Sequence, residues 1–108
     1  MTDQHPGSLT ASRIATLRPG IVAEAVIDER TDCLGRWHSG GSWSPWRLIA
    51  AGARDVAVAA IDDDGEPAAL VSVVVLTPMP IGGIPAAYLP YQRFYYRLTA
   101  SGVTPAGL

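Results

Sequence analysis

Residues 56–76 read VAVAAIDDDGEPAALVSVVVL, two apolar runs separated by an acidic segment. Val56–Ile61 and Ala68–Leu76 are rich in β-branched side chains, which lose freedom in helices and pack well on a pleated surface. Between them stands Asp62-Asp63-Asp64-Gly65-Glu66-Pro67. Asp-Gly is a favoured pair for a two-residue type I′ turn, because both central positions need positive φ. Centring the turn on Asp64 and Gly65 sets Ile61 opposite Ala68 and Val58 opposite Val71. Both runs are apolar at successive positions, so the hairpin is expected in the middle of a sheet, covered on each face. The acids belong at a solvated tip, where charge also opposes edge association. They lack the alternating ligands and flanking helices of an EF-hand.

The pattern extends in both directions. Ile21–Ile27 reads as a strand ending in Asp28-Glu29-Arg30, and Leu34–His38 as a second short one. Ser39–Ser42 is a turn, and Trp46–Ala51 is a further strand whose start Pro45 places at an edge. Upstream, Ser8–Leu17 carries Leu9, Ile14 and Leu17 and is stopped by Pro19-Gly20, which reads as a short helix. Downstream, Thr77–Pro85 is an uncharged Pro/Gly loop, Ala86–Leu98 resumes an aromatic-rich extended pattern, and Thr99–Leu108 has a tail's composition. The expected fold is mainly β, a small antiparallel β-sandwich or β-barrel over residues 21–98. An N-terminal arm with a short helix precedes it over 1–20, and an extended C-terminal tail follows over 99–108. The 108 residues suit one domain.

Composition narrows the functional classes. Formal net charge is −2, which gives no general attraction to nucleic acid or to an anionic membrane. Only 17% of residues are charged, and all eight basic residues are Arg. Arg is the cation of interfaces and partly buried ion pairs, whereas Lys is depleted there. A lone Cys33 excludes an intramolecular disulfide. Ala68–Leu76 is too short to span a bilayer, and Met1–Gly20 carries no apolar core of signal-peptide length. The expected location is the cytoplasm or an assembled particle.

Chemistry-bearing constellations are sparse. Cys33, His38 and nearby Asp32 fall short of a structural zinc set, and His5 lies in the arm, so no metal is expected. Cys33 and His38 are a thiolate pair only if folding brings them together. No phosphate loop, nucleophile elbow or cofactor motif is present, so neither an enzyme nor a cofactor is expected.

Two clusters remain. Trp37, Trp43 and Trp46 are interleaved with Arg36, Arg47 and glycines, a set able to bind a saccharide or peptide through rigid aromatic faces. Trp43 and Trp46 are three apart, so on one strand they point to opposite sides. Trp43, Trp46 and Leu48, followed by the hairpin from Asp55 to Val75, resemble one blade of a tectonin-type lectin propeller over about thirty residues, although a propeller needs at least four blades. The second cluster is the aromatic strand. In extended conformation Tyr91, Arg93, Tyr95 and Arg97 share one face, and Phe94, Tyr96 and Leu98 share the core face. Such an Arg-Tyr ladder is interface chemistry unless it pairs internally with acids such as Glu24 or Asp28. Met79 and Ile81, apolar residues of the neighbouring loop, extend the same surface. The leading expectation is a non-enzymatic structural or adaptor subunit that contacts protein subunits, in a homo- or hetero-oligomer such as a virion. The alternative is a small ligand-binding module using the Trp-rich loop.

Overall fold

The computed structural model describes residues 5–76 and 91–106. Nine strands run β1 (Leu9–Arg18), β2 (Ile21–Asp28), β3 (Cys33–Ser39), β4 (Ser42–Trp43), β5 (Arg47–Ala50), β6 (Ala53–Asp63), β7 (Glu66–Leu76), β8 (Tyr91–Thr99) and β9 (Gly102–Pro105). They form two antiparallel sheets in a sandwich-like arrangement, with no helix among the described residues. The first sheet has the order β1-β2-β3-β4, with β5 also paired to β3, and the second is β6-β7-β8-β9.

The hairpin forms in the register its turn dictates. Asp64 and Gly65 have φ of 54° and 85°, and Ile61 faces Ala68 while Val58 faces Val71. Its position differs from the expectation. β7 is central, between β6 and β8, but β6 is an edge strand with Ala57, Ala59 and Ala60 exposed. Alanine made the run apolar without demanding burial, because so small a side chain loses little by facing water.

The helix expected at Ser8–Leu17 is instead strand β1, paired along β2 from Leu9↔Asp28 to Arg18↔Ile21. A ten-residue helix without a packed face is marginal, whereas β1 gains a full ladder. Its inward face is Ala11, Arg13, Ala15 and Leu17, a period-two pattern hidden by small side chains. Pro19-Gly20, read as a helix stop, is the hairpin turn, with Gly20 at φ 82°. The compositional tail also contains a strand, β9. The blade likeness dissolves, since β4 and β5 lie in one sheet and β6 and β7 in the other.

The core lies between the sheets. Ala23, Ala25, Ile27, Cys33, Trp37 and Ile49 of the first sheet meet Ala53, Val56, Ala69, Val71, Val73 and Leu98 of the second. Gly35 sits where a β-carbon would stand 2.7 Å from Ile49 Cδ1 and 3.3 Å from Leu98 Cδ2. Its missing side chain lets the two layers close.

One end of the first sheet is latched by a buried carboxylate. Asp28, 1% exposed, accepts hydrogen bonds from the backbone N–H groups of Gly7 (2.9 Å), Arg30 (3.0 Å) and Asp32 (3.1 Å) and from Arg30 Nη2 (2.9 Å). It thereby ties the N-terminal segment to the β2–β3 turn, where Thr31 adopts φ 62°. Burial alone raises its pKa, but these bonds outweigh it and hold the carboxyl at about 2. A depressed folded pKa means the contribution is complete above the unfolded value near 4 and fades as pH falls toward 2. Acid titration followed by urea unfolding should show stability falling across that window in the native chain. Asp28→Asn should flatten the loss, and Asp28→Ala should cost about 2–4 kcal/mol by stranding buried N–H donors.

Candidate functional site

Two surfaces carry the residues singled out by the sequence, one on the outer face of each sheet. On the first sheet, antiparallel register aligns Ile14, Glu24 and Arg36 in one row and Val26, Leu34 and Leu48 in the next. Arg36 Nε donates to Glu24 Oε1 at 2.8 Å, and Ser12 Oγ lies 3.3 Å from Glu24 Oε2. The Arg36 guanidinium carbon lies 4.0 Å from the Trp43 ring centroid and 4.4 Å from that of Trp46. His38 meets Trp43 edge-on at 5.0 Å.

Trp43 and Trp46 therefore do not point to opposite sides. β4 ends at Trp43, and Ser44-Pro45 re-aims the chain, so both rings flank the same cation. Ser44 fixes that bend, its hydroxyl accepting from Trp37 N at 2.9 Å. Trp37 itself is a core residue, 5% exposed. Arg47 projects from the opposite face of β5, beside Gly102 of β9. Of the five residues grouped by sequence, only Arg36, Trp43 and Trp46 come together.

Their chemistry is largely internal. Each indole gives a face to Arg36, and Arg36 neutralises a carboxylate only 8% exposed. A cation held in this way gains roughly 0.5–2 kcal/mol per aromatic face. The stack covers the sheet where a second layer would otherwise lie. Trp43→Ala should cost about 1–2 kcal/mol in urea unfolding. Arg36→Ala should cost about 3 kcal/mol or more, because it leaves Glu24 unpaired.

The remaining chemical candidate is the thiol. Cys33 faces the core and His38 the outer side of β3, so the two do not meet. Burial pushes the Cys33 thiol up to about 12, the wrong direction for a nucleophile. Alkylation of Cys33 at neutral pH should be slow in the native protein and fast in denaturant, as read by thiol titration. Among the described residues no three His, Cys, Asp or Glu side chains converge as metal ligands. Nor is any helix long and apolar enough to cross a membrane.

The second surface is the outer face of the second sheet. Pairing sets Arg93 opposite Val74, Tyr95 opposite Ser72 and Arg97 opposite Leu70, continuing to Ala57 and Ala59 on β6. Arg93 Nη1 donates to Ser72 Oγ at 2.7 Å, and Arg97 Nη1 pairs with Asp63 across β7. The internal acid is thus Asp63, whereas Glu24 and Asp28 serve the first sheet. Arg97 stays 43% exposed and Tyr91 66% exposed. Phe94, Tyr96 and Leu98 face inward, graded from Phe94 at the open end to fully buried Leu98. An open groove of about 450 Å³ runs past Ile61, Leu70, Arg97 and Pro105. Met79 and Ile81 lie outside the described residues.

No family model, curated protein or solved structure matches this chain.

The geometry then separates the two faces. On the first sheet's outer face, the central residues Val26 and Leu34 are fully buried and Glu24 and Asp28 nearly so, while Ile14, Trp43 and Leu48 on the marginal strands stay exposed. Among the described residues of the second, Ala68 and Ser72 are buried, while Leu70, Val74 and Leu76 are half-buried beside the Arg-Tyr row. The signal that sequence reasoning missed is Asp63. It lies within the tip run, but only the register brings it to Arg97.

Proposed function

We propose that this chain is a non-enzymatic structural or adaptor subunit of a multi-subunit assembly, a virion or other particle, and that it works through protein–protein contacts. One observation carries the reading, namely the difference between the two outer faces. The first is covered over its central strands β2 and β3 by its own side chains, and its exposed apolar residues, Ile14, Trp43 and Leu48, stand on the marginal strands β1, β4 and β5. The second presents Tyr91, Arg93, Tyr95 and Arg97 around half-buried Leu70 and Val74 on its central strand β7.

That composition has a physical logic. Tyr and Arg are enriched where proteins meet, since each combines a large planar contact area with fixed hydrogen-bonding groups. Here strand pairing and the bonds to Ser72 and Asp63 already order the arginines, so less side-chain entropy is lost on contact. The alternative, a saccharide- or peptide-binding module at Arg36, Trp43 and Trp46, has less support because Arg36 already occupies a face of each indole.

The test is the size of the native complex. Native gel filtration of material from the protein's own source should find the chain in a particle well above monomer mass. Tyr91→Ala combined with Arg93→Ala should release it while changing the unfolding free energy by no more than about 1 kcal/mol, since both side chains are exposed. Elution of the native chain at monomer mass would overturn the reading.

A further inference from the structure

We infer that the outer face of the second sheet docks a second copy of this chain, related by a two-fold axis lying in the contact plane and running across the strands. The inference rests on the functional reading above and names the first partner of that surface.

Charge distribution along the face carries the argument. The hairpin tip places Asp63 and Glu66 on this face at one end, with Asp64 at the turn and Asp62 on the inward side of β6. Arg18 approaches Asp62 at 3.7 Å and Arg97 pairs with Asp63. Among the described residues neither Asp64 nor Glu66 has an ion pair. The other end holds Arg93, bonded to neutral Ser72, in one row with Val74 and Asp55, and Arg13 of β1 approaches that Asp55 at 3.9 Å. The face is therefore acidic at one end and, with Asp55 met by Arg13, basic at the other, with Ala57, Ala59 and Leu70 between.

Only one face-to-face stacking satisfies this pattern. Rotation about an axis parallel to the strands sets acid on acid and arginine on arginine. Rotation about an axis across the strands lays the acidic tip of each copy over the Arg93 end of the other, and the contact is made twice. Such self-complementarity is what a two-fold interface requires. Alanines on β6 let the sheets approach, and strands stacked in this way lie near the usual alignment of packed sheets.

Size sets the strength. Strands of 11, 11 and 9 residues span a face of roughly 500 Å² per copy at standard rise and spacing, or about 1,000 Å² for the pair. That is the lower end for specific association, so the dimer is reversible, with a Kd in the micromolar range.

Sedimentation velocity of the purified full chain, from about 1 μM to about 1 mM, reads the result. A concentration-dependent monomer–dimer equilibrium is expected. Arg93→Glu and Glu66→Arg should each weaken it at least about tenfold. The double variant R93E/E66R, in which each new charge meets its opposite across the axis, should recover most of the loss. A monomer throughout the range overturns the proposal, as does a dimer indifferent to both single variants or a double variant no better than the singles. A purified monomer alongside a large native complex defeats the dimer but leaves the assembly reading standing. A purified dimer with a native mass no larger defeats only the larger assembly.

Discussion

The thinness of the core governs this fold. Between the sheets lie Ala23, Ala25, Ala53 and Ala69, with Gly35 where a β-carbon would collide with the core. Trp37, Ile49, Val56, Val71, Val73 and Leu98 supply most of the bulk. Alanines contribute little apolar area each, so the layers must sit close for these larger side chains to interlock. A β-carbon at Gly35 would push on Ile49 and Leu98 together and also meet the Glu24 carbonyl oxygen at 3.4 Å. Overpacking of this kind costs about 1–3 kcal/mol in a well-packed core, a large share of the stability available to a domain this size.

Because the core is thin, stability is drawn from the periphery. Asp28 and its four principal donors gather three backbone segments around one carboxylate. The Arg36 stack buries Glu24 and spreads two indoles over the outer face of the first sheet. Each device joins residues from separate strands, and each converts a polar group into part of a lid. The outer face of the second sheet has no comparable device among its described residues. Its arginines make single contacts within their own chain and keep much of their surface in water. One sheet has its central strands covered on the outer side by its own side chains, and the other leaves the Arg-Tyr row of its outer side largely in water.

What the sequence disclosed, and what it concealed, follows from the range of each interaction. The Asp64-Gly65 turn is local, and a two-residue turn with both φ positive admits one register, so the β6–β7 pairing was legible residue by residue. Alternation on β8 was equally legible, and Tyr96 and Leu98 took the inward face. Alanine defeated the reading of β1 and β6, because a side chain that tolerates both water and core leaves no period to count. The Trp43–Arg36–Trp46 stack was hidden by Pro45, which interrupts the strand on which a two-residue period would have been valid. Asp28 gave no sign of its role, since most of its partners are backbone N–H groups, which every sequence contains. Glu24 and Arg36 are twelve positions apart and meet only through the β2–β3 register.

The edges bear on how this chain associates. β1 and β6 are the exposed edges on one side of the sandwich, and they face each other across it. Arg13 approaches Asp55 at 3.9 Å, Arg18 approaches Asp62 at 3.7 Å, and Arg18 Nη2 donates to the Gly65 carbonyl oxygen. Such half-exposed pairs add little stability individually. Their steric and charged presence nonetheless occupies the path an incoming strand would take, which is how β proteins guard their edges. On the other side β9 is only four residues long and ends in Pro105, which has no N–H to offer a neighbour. With both edges of the second sheet blunted, strand addition is disfavoured, which favours the proposed contact through the Arg-Tyr face over pairing at an edge. The proposed contact through that face would also be finite, because a self-complementary surface closes on its partner, whereas an open edge would recruit strand after strand.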